Sequence, residues 1–358
     1  MPGVPKTRDA ITPEWLTTVL RQLPDTEART VSEMVLEPVG EGIGFLSSMW
    51  RAQLKYEEPA STGPKSLVVK LESGDSNLRE TAREFHAFER EVNFYRDVAP
   101  HCPIRVPRVY HALSNEEGGV IVMEDLGHLE VRDQVHGIRH SEALGIVRQI
   151  GRLQAHYWDN ERLHALEWMP VGDSGILEGF GENWPVFEEA YGLRIGREAV
   201  DLGQRLAASL DWLVAKIAER PHTIVHTDLR ADNVLFGPAG SDDEYVILDW
   251  QLGARTLGAI DPARLLGGSE PAAERGGHQL EVFGAWHEAL VEGGVEGYSF
   301  EAGVEDFRLA CLYCLCIPIR FLAVTGVDAG GRTGQLLDAI SLRMFESALE
   351  LGVSEILP

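Results

Sequence analysis

Basic residues are scarce in this chain. Lysine and arginine number 32 against 56 aspartates and glutamates, for a formal net charge of −24. Nucleic acid and anionic bilayers repel such a polyanion, so neither is expected as a main partner. Long apolar runs are also missing. The longest, LACLYCLCIPI from Leu309 to Ile319, is bounded by Arg308 and Arg320. It falls well short of the ~20 residues a spanning helix requires and reads as a buried core helix. The opening MPGVPKTRDAITPEW lacks the apolar core of a signal peptide, so a cytoplasmic protein is expected. Cysteine is sparse as well: Cys102 stands alone, and Cys311, Cys314 and Cys316 share one apolar helix without a second Cys/His pair nearby. Thiols so placed are expected to act as small hydrophobes and not as metal ligands.

What is present suits a soluble globular protein, with 44% hydrophobic and 25% charged residues. The 358 residues suffice for two lobes with separate cores. ITPEWLTTVLRQL (11–23) is a short amphipathic helix with Thr12 as N-cap and Pro13 at its first position. VSEMVLEPVGEGIGFLSSMWRAQLKY alternates around a glycine cluster, which predicts a hairpin, and SLVVKLES predicts a short strand. LRETAREFHAFEREVNFYRDV predicts one helix with Phe85, Phe88, Val92 and Tyr95 on one face. Two more strands follow in RVPRVYHALSNEEGGVIVMEDLG. The chain beyond is mostly helical. The periods thus predict an α+β protein: an N-terminal antiparallel sheet with one helix over residues 1–125, then a mostly helical lobe over 126–358, with the boundary near Glu124 to Gly127.

The strongest chemical signal is His226-Thr227-Asp228-Leu229-Arg230-Ala231-Asp232-Asn233. It fits H-x-D-L-x-x-x-N, in which the aspartate meets an incoming hydroxyl and accepts its proton, while the asparagine reaches a magnesium that bridges phosphates. Downstream, the apolar run Tyr245-Val-Ile-Leu ends in Asp249, followed by Trp250 and Gln251. An aspartate there is expected to hold the principal magnesium, and with Asn233 it supplies the hard oxygen ligands Mg²⁺ prefers. Upstream, Gly40-Glu-Gly42-Ile-Gly44 lies between two strand-like runs, where glycines let backbone amides approach phosphates. Lys70, at the end of Leu67-Val68-Val69, is the candidate for the α- and β-phosphates. Such a lysine needs a helix glutamate to aim it. Glu91 and Glu84 lie two turns apart near the aromatic face, and Glu91 is the preferred partner.

These stretches together resemble the kinase-like phosphotransferase superfamily of aminoglycoside phosphotransferases and choline kinases, and most of all its ecdysteroid-kinase-like (CHK-like) branch. The resemblance rests on FEREVNFYRDVAP, VMEDLG, RLQAHYWD, HTDLRADNVLF, ILDWQ and IDPARLLGGS, between about residues 35 and 270. It implies a bilobal protein-kinase-like fold that binds ATP and takes a hydroxyl acceptor on its C-terminal lobe. It also implies a Lys70–Glu91 ion pair, a hinge at Met123, Glu124 and Asp125 that contacts adenine through backbone groups, and catalytic roles for Asp228, Asn233 and Asp249. Thr227 stands where protein kinases carry arginine, only nine residues separate Gln251 from Asp261, and no A-P-E follows. The platform for a peptide substrate is therefore absent, which favours a small acceptor.

The expected activity is transfer of the γ-phosphoryl group of ATP, with Mg²⁺, to a hydroxyl of a small molecule. Aminoglycosides, other antibiotics, amino alcohols, sugars, nucleosides and steroid-like alcohols all fit, because fold similarity carries no substrate. The competing reading is a catalytically weak, pseudokinase-like regulatory module. Its mark would be loss of Asp228, Asn233 or Asp249, and all three are present.

Overall fold

The computed structural model describes residues 2–23, 30–40, 47–57, 63–172 and 175–358. The chain divides into two compact units: residues 1–130 with 247–252, and residues 131–246 with 253–358. The first unit thus takes Ile247–Leu252, a piece that a single cut after residue 125 leaves in the second lobe.

In the first unit, strands β1 (Val31–Val39), β2 (Ser47–Tyr56), β3 (Ser66–Glu72), β4 (Val109–Asn115) and β5 (Gly118–Glu124) form one sheet of order β1-β2-β3-β5-β4. Every neighbouring pair runs antiparallel. Side chains alternate across a strand, so β3 and β5 each serve two faces. Leu67, Val69, Leu71, Val120 and Val122 pack with Ile11, Leu16, Val19 and Leu20 around helix α1 (Pro13–Leu20). Thr12 caps that helix by accepting from Trp15 N–H at 3.2 Å, with Pro13 at its first turn. Lys70 falls between Val69 and Leu71, so its side chain projects from the other face. The buried stretch Leu67–Leu71 makes that face a low-dielectric one.

The single helix predicted over 78–98 is interrupted. Helix α2 (Ser76–Glu84) ends before His86, which has φ +51°, and α3 (Ala87–Asn93) starts afresh and runs into a π-turn at Phe94–Val98. Aromatic spacing cannot register one left-handed residue, because Phe85 and Phe88 keep an apolar pattern across the break. The restart buries Ala87, Phe88, Glu91 and Val92.

In the second unit, strands β6 (His222–Val225) and β9 (Ala254–Leu257) pair antiparallel. Strand β7 (Val234–Phe236) lies beside β8 (Tyr245–Ile247), whose last residue begins the piece assigned to the first unit. Around them pack α4 (His140–His156), α5 (Glu161–His164), α6 (Phe180–Ile195), α7 (Arg197–Ala207), α8 (Leu210–Ala218), α9 (Ile260–Ser269), α10 (Ala272–Arg275), α11 (Gln279–Glu292), α12 (Phe300–Cys314), α13 (Cys316–Thr325) and α14 (Gly331–Glu350). Every residue of α9 is buried. The apolar stretch Phe300–Thr325 is long enough by composition to cross a bilayer, yet 72% of its most apolar window is covered by the protein. It is a core element, and the thiols of Cys311, Cys314 and Cys316 within it are buried. The aromatic run of α6 is also core: Phe187 stacks on Tyr191 and on Phe345 of α14, at centroid distances of 5.0 and 5.7 Å.

Candidate active site

In the first unit the chemistry centres on Lys70. Its Nζ lies 2.7 Å from Glu91 Oε2 and 2.7 Å from Asp249 Oδ1. The lysine and Glu91 side chains are 5% and 1% exposed, so neither charge is shared with water. Burial alone would pull the ammonium's pKa down, but the two carboxylates outweigh it and hold the lysine firmly protonated. Glu91 is pushed up by its own burial, and Lys70 pulls against that shift. Glu84, the alternative partner, is exposed at the end of α2. Asp249 adopts φ +64°. Its Oδ2 accepts from Gln251 Nε2 at 3.1 Å, so both oxygens are oriented. The piece is anchored next door, where Trp250 stacks on Phe94 with centroids 4.0 Å apart and planes 5° from parallel.

The expected hinge is also in this unit. Met123 is buried at the end of β5. Glu124 pairs with Arg105 at 2.6 Å, and its backbone N–H donates to Arg108 O at 2.9 Å. Asp125 accepts from Arg51 Nε at 2.8 Å and from Gly127 N–H at 3.0 Å. A Cβ at position 127 would meet Arg51 Nη2, so a larger residue there would displace the Arg51 guanidinium from Asp125. Gly42 and Gly44 lie outside the described residues. Gly40, which precedes them, has φ +70°.

In the second unit the catalytic-loop pattern forms a tightly tied turn. Asp228 Oδ1 lies 2.9 Å from Arg264 Nη2, and Oδ2 lies 3.1 Å from Arg230 Nε. Asn233 donates from Nδ2 to the Asp228 carbonyl at 2.9 Å and to Oδ2 at 3.1 Å. With that amide nitrogen committed, Oδ1 is the atom Asn233 has to offer a cation. Burial pushes the Asp228 carboxyl up, but Arg230 and Arg264 outweigh it and leave it below the ordinary value.

Three buried groups that sequence patterns did not reveal hold this turn. Asp261, fully buried on α9, accepts from His226 N–H at 2.9 Å and from Thr227 N–H at 3.0 Å. Gln154 of α4 donates to Asp261 at 3.0 Å. Arg264 reaches Asp228 one helical turn after Asp261, and a Cβ at Gly268 would collide with its Nη1. The signals for them lay in IDPARLLGGS, where Asp261, Arg264 and Gly268 recur at helical spacing on one face, and in RLQAHYWD, which contains Gln154. Further out, Asp232 bonds to Arg230, to Gln134 N–H at 3.0 Å and to Arg332 of α14 at 2.9 Å.

The first unit thus holds an aimed ammonium beside two carboxylates, and the second a carboxylate and an amide oxygen fixed in one turn; these are the kinds of group a kinase-like phosphotransferase uses. Residues 56–299 match the phosphotransferase enzyme family, and the chain belongs to that family. Solved structures agree on the fold. A choline kinase from Cryptosporidium parvum is 10% identical with TM-score 0.54, covering 96% of this chain and 98% of that one. An ethanolamine kinase from Plasmodium vivax is 11% identical with TM-score 0.52, covering 88% and 83%. A streptomycin–ATP–APH(2″)-IIa ternary complex is 14% identical with TM-score 0.50, covering 93% and 96%. No curated protein matches in sequence.

Proposed function

We propose that this small-molecule kinase transfers the γ-phosphoryl group of ATP to a hydroxyl of a small molecule, with amino alcohols as the first acceptors to examine. The observation that carries the reading is Lys70, buried and held 2.7 Å from both Glu91 and Asp249. A cation costly to bury is kept where nucleotide phosphates need one, and an ion pair aims its flexible chain. The ATP of one fold neighbour's ternary complex supports the choice of nucleotide. The choline and ethanolamine kinases among the neighbours support the acceptor class.

Asp249 and Asn233 each carry the kind of oxygen that would hold Mg²⁺, and a bound ion would supply charge neutralisation for the phosphates. Lys70 exchanges Asp249 for phosphate oxygens while Glu91 keeps its direction. Asp228 orients the acceptor hydroxyl. As the acceptor oxygen bonds to phosphorus and the bond to the β-phosphate oxygen breaks, the hydroxyl proton passes to Asp228 and ADP departs. A carboxylate held below its ordinary pKa is a weak base, so its larger contribution is orientation and charge, as a loose phosphoryl transition state demands.

The test is ADP release from ATP and Mg²⁺ across a panel of alcohols, with choline, ethanolamine and streptomycin beside sugars, nucleosides and sterols. Acceptor-stimulated release from wild type, abolished in Asp228→Asn, is the expected result. Stimulation by none of these classes, with nucleotide still bound, would favour a regulatory nucleotide-binding module instead.

A further inference from the structure

Away from Asp228, a second group of side chains has the composition and spacing of a transition-metal site. His140 begins α4, His278 is the residue before α11, and Glu281 lies in the first turn of α11. Glu281 Oε2 lies 3.5 Å from His140 Nε2 and 3.3 Å from His278 Nδ1, and one ligand atom from each of the three lies within 4.8 Å of the others. A tetrahedral ion with ligands at ~2.0–2.2 Å sets neighbouring donor atoms roughly 3.3–3.6 Å apart. The two Glu281 distances fall in that interval.

Behind His140 stands a second, independent feature. Its other nitrogen, Nδ1, lies 3.0 Å from Oε1 of Glu270, whose side chain is fully buried. A metal-binding histidine usually gives its far N–H to a carboxylate, which fixes the tautomer and presents the remaining lone pair to the ion. Here the carboxylate sits in the protein interior, and its Oε2 is buried without a hydrogen-bond partner, as is His140 Nε2. A surface ion pair would leave both atoms to water; a cation between His140, His278 and Glu281 gives Nε2 a partner. Gly276 and Gly277, at φ +40° and +80°, make the sharp turn that brings His278 back towards His140.

We propose that His140 Nε2, His278 Nδ1 and a Glu281 carboxylate oxygen bind a divalent ion of the zinc type, with water completing its coordination and Glu270 orienting His140. Imidazole and carboxylate donors in this number select zinc-like ions over magnesium, which prefers oxygen alone. The ion would tie the start of α4 to the start of α11. The tie lies beside Ser269, whose Oγ accepts from Ala231 N–H at 2.9 Å in the catalytic loop and whose carbonyl accepts from Ile138 N–H at 2.8 Å. Its role is structural support behind that loop.

Chelator-treated full-length protein is titrated with Zn²⁺ by calorimetry, with Mg²⁺ in excess to occupy hard-oxygen sites, and melting is followed with and without Zn²⁺. Wild type is expected to bind one equivalent and to melt higher when loaded. His278→Ala removes an exposed ligand from a turn, so the fold should persist while the Zn²⁺ affinity and the melting shift are lost. Glu270→Gln should weaken binding roughly 10–100-fold, the usual effect of removing a carboxylate that orients a ligating histidine. Co²⁺ gives a second readout, since its visible absorption should change with His278→Ala. Absence of Zn²⁺ binding by wild type, or binding unaltered by both His278→Ala and Glu281→Gln, overturns the proposal.

Discussion

Thr227 gives its backbone N–H to Asp261 Oδ1 across 3.0 Å, from a left-handed conformation at φ +63°. A β-branched residue rarely adopts that conformation, so the surroundings must hold it there. Asp261 does this by also taking the amide of His226, which turns the chain so that Asp228 emerges between Arg230 and Arg264. The strain and its restraint belong to one device that aims the candidate base.

Asp261→Asn should therefore lower unfolding free energy by about 2–3 kcal/mol and reduce kcat more than it raises KM, because an amide turns donors towards backbone donors. Burial pushes the Asp261 carboxyl up to about 7. A raised carboxyl pKa in the folded state means the folded protein binds the extra proton, so this group's contribution to stability falls as pH rises from the ordinary value of ~3.9 towards 7. Urea unfolding across that range should show the decline in wild type and its absence in Asp261→Asn. Parallel pH profiles for the two proteins would contradict this account.

Arg264→Leu tests the charge on Asp228. The carboxyl lies below its ordinary value because two guanidiniums outweigh its burial. Removing one lets burial count for more, so the acid limb of the kcat/KM profile should move to higher pH. An unmoved limb with reduced kcat would show that Arg264 acts through geometry instead.

Lys70 and Glu91 should behave as one unit. Lys70→Ala and Glu91→Ala are each expected to lower kcat/KM strongly, and the double variant should be scarcely worse than Lys70→Ala. Glu84→Ala, at an exposed position, is the control and should stay near wild type. Additive losses for Lys70 and Glu91 would dissolve the unit.

Asp249→Ala is expected to weaken Mg²⁺-dependent ATP binding more than Asp228→Asn, which should abolish turnover while binding persists. Calorimetry with and without Mg²⁺ separates the two. Equal affinities among both variants and wild type would remove Asp249 from the metal role.

Much of this arrangement was legible in sequence, for local reasons. Asp228 and Asn233 share one loop, so their spacing carries their relationship. Lys70 is flanked by apolar strand residues, and its exceptional character shows against them. Asp261, Gln154 and Arg264 were not singled out because their partners lie far along the chain: Gln154 and Asp261 are 107 residues apart, and Arg264 and Asp228 are 36 apart. A glutamine in an amphipathic helix and an arginine in a Gly-rich one look like solvated side chains until the packing is known. The break at His86 was hidden for the opposite reason, since the apolar spacing continues through it.

The Phe94–Trp250 stack makes the first unit discontinuous in the gene. A polypeptide ending near residue 130 carries the whole five-stranded sheet and α3, yet it lacks the indole that covers Phe94 and the carboxylate that shares Lys70 with Glu91. Such a fragment exposes an aromatic face and leaves a buried ammonium with half its counter-charge. During synthesis the amino-terminal unit is in the same condition until residue 252 has left the ribosome, so its completion waits on more than a hundred intervening residues.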